Sequence, residues 1–487
     1  MRNKQHGSSE QSEHLKKSGL SKQSEQATKT GESSRSRQSS GLLTEGIIWK
    51  RLLRFFLPIA AGTCIQQLYN TVDGLIVGRF VGTAALAAVG GSSAQIVNLL
   101  IGFFVAATAG ASVVIAQIYG AGRTEDVRNA AGNAITVFGL IGVALMAFGL
   151  AASPAMLTLL RTPADTLEGA SLYLRIYFLG VPSILILNME SNMLRSVGDS
   201  FGPFVFMVAG CLTNIVLDLI FVVLFHWDIA GVAIATVLSQ LVNMGLLTAR
   251  LLRTKKRYRL SLRNLKLNGV YLANMLRLGV PSGFQSSMYA VSNMVIQIGV
   301  NSLGTVVVAS WVMTSKVDGI YWAVSNAMGA AITSFIGQNL GAGRRDRARA
   351  CVKQGMILHA VITVVISVLI LLAGKPLLRI LTEDAAVQET TYQVMLYFVP
   401  FYILWTIIEV ISSVLRGAGD TLRPFLIISF GICIFRIVWM GTLFLRFHTL
   451  FVLCMSYAAS WLVTDAAMVI YYKKGKWMDR SGRILEK

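Results

Sequence analysis

The sequence predicts an all-α membrane protein in which twelve transmembrane helices form two six-helix bundles related by a parallel internal repeat. Three observations lead to this fold class. The chain of 487 residues is 54% hydrophobic and only 14% charged, which is more apolar surface than a soluble core of this length would bury. Apolar segments long enough to cross a bilayer core of ~30 Å follow one another in series. Two sequence motifs also recur at one constant offset.

The chain opens with a polar segment, residues 1–44, composed mainly of Ser, Gln, Lys and Glu. Such a composition buries too little apolar surface to fold, so we expect a disordered cytoplasmic tail. The tail contains no apolar stretch followed by a small-residue cleavage site. The first apolar segment is therefore expected to be a retained span and not a signal peptide.

Twelve apolar segments follow the tail and define the domains. We predict an amino-terminal bundle over 45–252, a basic cytoplasmic linker over 253–277, a carboxyl-terminal bundle over 278–473 and a cytoplasmic tail over 474–487. The predicted spans are 52–79, 92–118, 131–153, 169–196, 203–225, 230–252, 278–301, 306–336, 354–373, 389–415, 424–446 and 450–472.

Basic residues alternate between the loops and give the orientation. The loops 119–130, 253–277 and 337–353 are rich in Arg and Lys, whereas the alternate loops hold few basic residues. This alternation follows the positive-inside rule, so both termini are predicted to be cytoplasmic. It also explains the net charge of +20 without a nucleic-acid partner, because the basic residues do not line one helix or one domain.

The two halves of the chain resemble each other in sequence. The string QIYGAGRTEDVRNA recurs as QNLGAGRRDRARAC at an offset of 338 − 117 = 221, and LRSVGDSFGP recurs as LRGAGDTLRP at 415 − 194 = 221. Pro58 and Pro281, near the openings of the first and seventh spans, are 223 residues apart. Because six spans separate the copies, both halves have the same orientation, and a cavity between them is the natural consequence.

Two aspartates, in the first and fifth predicted spans, are candidates for a shared polar pocket. Asn214 and Asp218 are four residues apart in CLTNIVLDLIFVV and share one helix face, and Asp73 lies within LYNTVDGLIVG. A carboxylate at the bilayer centre costs roughly 2.5–3.5 kcal/mol, so such a residue is a functional-site hypothesis by default. The competing interpretation is structural, with each acid hydrogen-bonded to hold helices together.

Other chemistry finds little support in the sequence. The five cysteines lie in or beside apolar runs without metal-ligand spacing, so we expect neither disulfides nor a metal site. The GAGR strings lack the Walker spacing and a preceding strand, and are expected to be cytoplasmic turns. No histidine pair or nucleophile motif supports a membrane-embedded enzyme. We therefore expect neither an enzyme nor an organic cofactor.

The residues quoted above resemble the multidrug and toxin extrusion (MATE) family, in its bacterial NorM, DinF and MepA-like branch. The resemblance covers roughly Leu52 to Tyr472 and rests on LPIAAGTCIQQLYNTVDGLIVGRFVGTAALAAVGG, the duplicated LGAG-type junctions and the duplicated LR-x-x-GD turns. It implies a monomeric transporter in the inner membrane. The implied activity is efflux of organic, cationic and amphipathic compounds in exchange for Na⁺ or H⁺ by alternating access.

The resemblance also implies site residues. In NorM and DinF relatives, an acid in the first span and an Asn/Asp pair in the fifth form a cation or proton site. The positions in this chain that carry that similarity are Asp73, Asn188, Asn214, Asp218 and Thr236. All five bear side-chain oxygens, which suit Na⁺ at Asp73 and Asp218, and a desolvated carboxylate can also exchange a proton.

The carboxyl-terminal half departs from the family pattern. The seventh span has Tyr289 where some relatives have an acid, and the tenth has Trp405 with Glu409 one turn later. We therefore expect no second ion site of that kind. The soft and aromatic side chains that suit a cavity for aromatic cations, together with one glutamine, are Gln66, Tyr69, Met193, Met288, Tyr289, Trp311 and Met313.

Four further charged residues of the later spans are candidates for a role, namely Lys316, Asp318, Glu409 and Arg436. We interpret them as gating or charge pairs, with Glu409 as a candidate partner for Arg436. The alternative function is a lipid-linked or polysaccharide flippase of similar architecture. A charged cavity that recognises phosphate would favour it, and few Arg or Lys residues lie mid-span.

Overall fold

The computed structural model describes residues 43–256, 258–475 and 477–478, and this part of the chain is helical and contains no strand. The helices of the first half are α1 Ile48–Ile76, α2 Ala85–Gly120, α3 Thr124–Leu159, α4 Ala164–Ser196, α5 Phe201–Leu224 and α6 Asp228–Arg253. Those of the second half are α7 Gly269–Ser302, α8 Thr305–Gly341, α9 Arg345–Leu381, α10 Ala385–Gly417, α11 Leu422–Phe447 and α12 Leu450–Lys474.

Nine of these helices are long and apolar enough to cross a membrane, counted over the residues that the structure describes. The other three are α1, α7 and α8, which carry more polar side chains along their length, such as Gln66 and Asn70 in α1. A multi-pass membrane protein follows from the nine helices. The number of twelve crossings stays a prediction.

The halves meet through their first two helices. Helix α1 packs on α8, and α2 packs on both α7 and α8, so each half offers equivalent helices to the other. The contact between α2 and α7 is backbone to backbone, since a Cβ added to Gly110 would lie 2.3 Å from the amide nitrogen of Gly279. Small residues allow this approach, as they do at many helix crossings in membranes.

Two glutamines join the halves symmetrically at the predicted cytoplasmic end. The side-chain amide of Gln117 donates to the carbonyl of Gly417 at 2.9 Å, and that of Gln338 donates to the carbonyl of Ser196 at 2.7 Å. Both donors and both acceptors are related by the repeat offset, 338 − 117 = 221 and 417 − 196 = 221. The two halves therefore exchange the same buried hydrogen bond.

The backbones also cross closely beside these glutamines. A Cβ at Gly120 would lie 2.1 Å from the carbonyl oxygen of Gln338, and one at Gly341 would lie 2.0 Å from the carbonyl oxygen of Gln117. Only glycine fits at such distances. The duplicated QxxGAG string is thus the closed crossing of α2 and α8, in agreement with its interpretation as structural.

The aspartates of the duplicated GD turns anchor the last helix of each half. Asp199 pairs with Arg250 of α6 at 2.7 Å, and Asp420 accepts from the hydroxyl of Tyr471 in α12. The linker joins this arrangement, because the hydroxyl of Tyr258 donates to Asp199 at 3.4 Å. Burial and the neighbouring carboxylate raise the pKa of Tyr258 above its usual value.

The boundary of the amino-terminal tail lies earlier than predicted. Residues 1–42 of the expected tail lie outside the described residues, but Leu43 and Thr44 are only 4% and 5% exposed. The Leu43 amide donates to the Gln338 side chain at 2.9 Å, and Arg344 donates to the Thr44 carbonyl at 2.6 Å. The prediction of disorder is wrong for these two residues, because polar and basic groups of the α8–α9 turn satisfy their backbone.

Candidate functional site

The acids of the first half meet at the contact between α1 and α5. The carboxyl groups of Asp73 and Asp218 lie within hydrogen-bonding reach of each other. Asp218 is fully buried, and Asp73 is half-buried with a buried Oδ1. Among the described residues, no N–H or O–H group donates to Asp73 Oδ1 or to either carboxylate oxygen of Asp218.

No positive side chain in the described part of the chain forms an ion pair with Asp73 or Asp218. Two carboxylates in contact cannot both remain ionised without a counter-charge, since each disfavours the charge on the other. A buried, unpaired charge is also costly by itself. The arrangement therefore requires a shared proton or a bound cation.

The polar neighbours predicted from the sequence divide into two groups. Asn214 lies one turn before Asp218, and both atoms of its side-chain amide are buried without a partner in the described structure. Asn188 and Thr236 instead bond to their own helices, donating to the carbonyls of Ile184 at 2.8 Å and Val232 at 3.0 Å. Asn214 is thus free to bind a ligand. Asn188 retains its oxygen and one N–H, and Thr236 retains only the acceptor capacity of its hydroxyl oxygen.

Each acid is followed by a π-helical stretch. Asp73 precedes Val77–Val81 by one turn, and Asp218 directly precedes Leu219–Leu224. The two stretches pack against each other. Wider π turns are rare and are frequent at functional sites, because they leave backbone and side-chain groups out of the regular helical pattern.

Two tyrosines lie near the acids, and a third lies near these two tyrosines. Tyr69, Tyr173 and Tyr177 lie within electrostatic range of one another, and both Tyr69 and Tyr173 are within range of Asp73 and Asp218. The rings of Tyr173 and Tyr177 are 5.8 Å apart on one face of α4. Sequence reasoning missed this tyrosine pair. The spacing of four in YLRIY was the available signal.

A cavity of about 130 Å³ lies between the two halves. Helices α2 and α4 of the first half and α7, α8 and α10 of the second contribute to its wall. The residues that line this inter-lobe cavity are Ala109, Ser112, Val113, Asn192, Arg195, Ser282, Asn326, Ala330, Thr333, Ser334, Glu409, Arg416 and Thr421.

The side chains predicted to line a substrate cavity do not line this one. Met193 is fully buried in the core of the first half. The rings and side chains of Tyr289, Trp311 and Met313 pack against the core of the second half, Met288 is half-buried, and Gln66 is exposed. Tyr69 lies instead at the acid pair. Residue type and helical periodicity do not distinguish a side chain that packs in a core from one that lines a cavity.

The charged residues of the second half have other partners than those expected. Glu409 pairs with Arg416 at 3.4 Å and accepts from Ser413 at 3.2 Å, so the suggested pair with Arg436 is not formed. Asp318 accepts from the hydroxyl of Tyr402 and not from Lys316, which is exposed. The sequence does not show the direction in which each side chain projects from its helix, and this direction determines the observed partners.

Arg436 is held by an aromatic ring and a hydroxyl. Its guanidinium lies 3.7 Å from the centre of the Tyr457 ring, and its Nε donates to Ser460 at 3.1 Å. The side chain is 4% exposed. Burial over an aromatic face is a favourable environment for a guanidinium, so Arg436 stabilises the contact between α11 and α12.

Two further polar groups of the second half were missed. The imidazole of His359 contacts hydroxyls of Ser325, Thr363 and Thr406 at 3.0–3.2 Å. Asp465, on α12, is 4% exposed, and both of its carboxylate oxygens are buried without a donor in the described residues. Asp465 lies in the middle of a predicted span, as Asp73 does, but it has no counterpart in the site that the family resemblance implies.

These features define a class of protein. Two packed helical repeats, with unpaired carboxylates buried among their helices, are the construction of a secondary membrane transporter. The MatE family model matches residues 58–220 and 281–440, which is one match in each half. The chain belongs to the MatE family of transporters, which are not enzymes. The resemblance inferred from the sequence is thereby confirmed.

Relatives with curated descriptions agree in length and class. The probable multidrug resistance protein YoeA of Bacillus subtilis is 27% identical over 392 residues, which is 79% of this chain and 84% of the relative. The probable multidrug resistance protein NorM of Thermotoga maritima is 24% identical over 89% of this chain and 94% of its own length. A protein described as an FAD transporter in Shewanella oneidensis is 25% identical over 75% of this chain and 79% of its own length.

Solved structures confirm the fold. A multidrug resistance MATE transporter of the MOP superfamily, described in an outward-facing conformation, superposes with a TM-score of 0.83 at 21% identity, covering 92% of this chain and 99% of that chain. A MOP superfamily transporter from Pyrococcus furiosus, described as having a binding pocket of reverse polarity, gives 0.83 at 22% identity, with 92% and 99% covered. The all-α two-bundle fold class is therefore confirmed.

Proposed function

We propose that this protein exports organic, cationic and amphipathic compounds in exchange for Na⁺ or H⁺. The observation that carries the proposal is the contact between Asp73 and Asp218, which lacks any counter-charge in the described structure. Such a pair binds a cation or a proton when it is loaded and is strongly unfavourable when it is empty and ionised. These properties suit a site that couples the binding of an ion to the transport of a substrate.

Loading of this site changes the relative energies of two conformations. When the pair is empty, repulsion between the carboxylates drives α1 and α5 apart at Asp73 and Asp218, and a bound proton or Na⁺ removes that repulsion. Asn214 adds an oxygen ligand to a bound cation. An ion drives the transition only through its differential affinity for the two states, so the π-helical stretches after each acid are the segments that we expect to rearrange.

The same proposal includes orientation and assembly. The chain acts as a monomer in the inner membrane, with both termini in the cytoplasm, as the basic loops favour. The closed crossing of α2 and α8 then lies on the cytoplasmic side. This arrangement corresponds to an outward-facing state, which is also the state named for the MATE transporter that superposes with a TM-score of 0.83.

Transport by purified protein in proteoliposomes tests the proposal. An imposed inward-directed proton or Na⁺ gradient is expected to accelerate ethidium movement in the opposite direction, and ethidium is expected to move the coupling ion in turn. Equal ethidium flux with and without either gradient would contradict ion-coupled export.

The alternative is transport of a phosphate-bearing compound, as in a lipid-linked or polysaccharide flippase. The FAD transporter at 25% identity and the presence of Arg195 and Arg416 in the inter-lobe cavity favour it. The same proteoliposomes separate the two functions, because a flippase moves a fluorescent phospholipid or lipid-linked sugar across the bilayer and leaves ethidium untouched.

A further inference from the structure

The inter-lobe cavity contains two arginines that the repeat relates to each other. Arg195 on α4 and Arg416 on α10 differ by 416 − 195 = 221 and approach the cavity from opposite halves. The ion-pair partner of Arg416 is Glu409 on α10. The equivalent residue of the first half is Asn188 on α4, 409 − 188 = 221, which carries no charge. The two arginines therefore have different electrostatic environments within one cavity.

Arg416 is neutralised and Arg195 is not. Arg416 pairs with Glu409 at 3.4 Å and donates to Ser413 at 3.0 Å. The Nε of each arginine is buried without an acceptor, but the ion pairs of the described residues include Arg416 and not Arg195. With both guanidinium groups and one carboxylate ionised, the cavity wall carries one net positive charge. A guanidinium left without an anion at a helix interface is unfavourable, so the charge of Arg195 calls for an anionic ligand.

The remaining polar wall supplies hydrogen-bond donors on several sides. Donors come from both halves, namely the second amide N–H of Asn192 on α4, whose first N–H donates to Thr108, and the side chains of Asn326 and Ser334 on α8. The hydroxyls of Ser282 and Thr333 donate instead to the carbonyls of Leu278 and Ser413. Donors distributed around a cavity match the tetrahedral oxygens of a phosphate better than the planar oxygens of a carboxylate.

The size of the cavity limits the ligand. A cavity of about 130 Å³ is large enough to hold a phosphate group. Pockets for drug-sized ligands are larger, on the order of 300–1,000 Å³. The cavity thus fits one small oxyanion group and is distinct from the Asp73/Asp218 site.

We propose that the inter-lobe cavity is a binding site for a phosphate group, held by Arg195 with help from Arg416 and the surrounding hydroxyl and amide donors. Because both halves contribute to the wall, the bound phosphate stabilises the conformation in which the halves are closed at the α2–α8 crossing. The phosphate group is the shared chemistry of a free phosphate ester and of a lipid headgroup.

Equilibrium binding of radiolabelled inorganic phosphate tests the site. Purified full-length protein in a nonionic detergent, in buffer free of phosphate and sulfate, is expected to bind phosphate saturably at one site. Replacing Arg195 by Gln removes the unpaired charge and should weaken binding on the order of 10- to 100-fold, the usual range for a charge-assisted hydrogen bond. Arg253→Gln makes the same change at an exposed cytoplasmic arginine and is expected to leave binding unchanged.

Further arms keep the test decisive when a variant folds poorly. Arg195→Lys keeps the charge and is expected to retain weakened binding, while acetate and tetraphenylphosphonium should compete poorly with phosphate on the wild-type protein. Absence of saturable phosphate binding, equal loss in Arg253→Gln, or acetate binding as tightly as phosphate would overturn the proposal. No ion gradient is present, so the result does not depend on coupled export.

The source of the phosphate group is resolved by competition on the wild-type protein. Glycerol 3-phosphate represents a soluble phosphate ester, and dihexanoyl phosphatidic acid represents a lipid headgroup that carries the same group on acyl chains. Displacement of radiolabelled phosphate by both at similar concentrations assigns the site to free phosphate esters. Displacement by the lipid at a much lower concentration assigns it to a headgroup, and displacement by neither overturns the proposal.

Discussion

The two halves of the molecule share a fold but differ at the positions of the acid pair. In the first half, Asp73 and Asp218 touch without a counter-charge in the described structure. At the repeat offsets, 296 − 73 = 223 and 439 − 218 = 221, the second half has Ile296 and Trp439. Ile296 is 1% exposed in an apolar core, and the indole of Trp439 donates to a backbone carbonyl at 2.9 Å. The equivalent helices therefore carry uncompensated carboxylates in the first half and uncharged, packed side chains in the second half.

The charges that the second half does contain are mostly compensated. Glu409 has Arg416, and Arg436 has the Tyr457 ring. A compensated charge stabilises a helix contact and needs nothing from solution, whereas an uncompensated carboxylate pair needs a mobile cation. The comparison therefore distinguishes structural charges from a coupling site, with Asp465 as the one acid of the second half that resembles the first.

The halves are alike where they close against each other. The exchanged hydrogen bonds of Gln117 and Gln338 and the close approaches at Gly120 and Gly341 are equivalent on both sides. Symmetry is retained where two halves must fit together and is lost where one ion site is sufficient. This contrast can be tested at both places.

The largest expected effect is at the closed crossing. Gly120→Ala and Gly341→Ala each place a Cβ near 2 Å from a backbone oxygen, at 2.1 and 2.0 Å. Overpacking of this kind costs about 1–3 kcal/mol or more, and the two variants should lower the melting temperature in detergent by similar amounts. Gly245→Ala is the control, since no atom lies within 4 Å of the added Cβ. A loss at one glycine only would show that the crossing is not symmetric.

The next effect is at the buried arginine of the second half. Arg436→Gln loses the contact with the Tyr457 ring and its charge-assisted bond to Ser460, so stability should fall by roughly 2 kcal/mol. Gradient-driven efflux per folded molecule should persist, measured in proteoliposomes at equal incorporation. Full stability with abolished efflux would instead make Arg436 part of the transport mechanism.

A smaller effect is expected at Asp465. Asp465→Asn keeps the shape and removes the charge, and we expect efflux within about 2-fold of wild type, since one unmatched acid without a second carboxylate lacks the ligands for a cation. The side-by-side variant is Asp73→Asn, which should lose coupling. If Asp465→Asn abolishes gradient dependence, the second half holds an ion site of its own.

The smallest effect concerns the tail. Deletion of residues 2–41 leaves the segment from Leu43 to Gly46 in place, including the buried Leu43 and Thr44, and should keep the efflux rate per molecule. Extending the deletion through Gly46 removes the bonds that Arg344 and Arg347 make to this segment and should lower the melting temperature. Reduced efflux after the shorter deletion, at equal abundance in the membrane, would reveal a function in the polar tail.

The sequence was sufficient for the fold and for part of the site. Apolar segments, basic loops and duplicated strings predict the helices because length, charge and repetition are properties of the chain itself. Mid-span charge marked Asp73 and Asp218 as candidates, and the family resemblance assigned them to one site. The partners of Glu409 and Arg436 did not follow, since pairing depends on helix rotation, and the tyrosine pair on α4 was indistinguishable from lipid-facing residues.

Parallel transport by two variants tests the central claim most directly. Asp218→Asn and Glu409→Gln each remove one carboxylate charge at nearly constant shape, one from the uncompensated pair and one from the ion pair with Arg416. Ethidium efflux driven by proton and Na⁺ gradients is measured in proteoliposomes at equal incorporation, with ethidium binding measured separately. We expect Asp218→Asn to lose gradient-driven efflux while it still binds ethidium, and Glu409→Gln to keep it at a reduced rate. Normal efflux by Asp218→Asn with abolished coupling in Glu409→Gln would contradict the account and move the ion site to the second half.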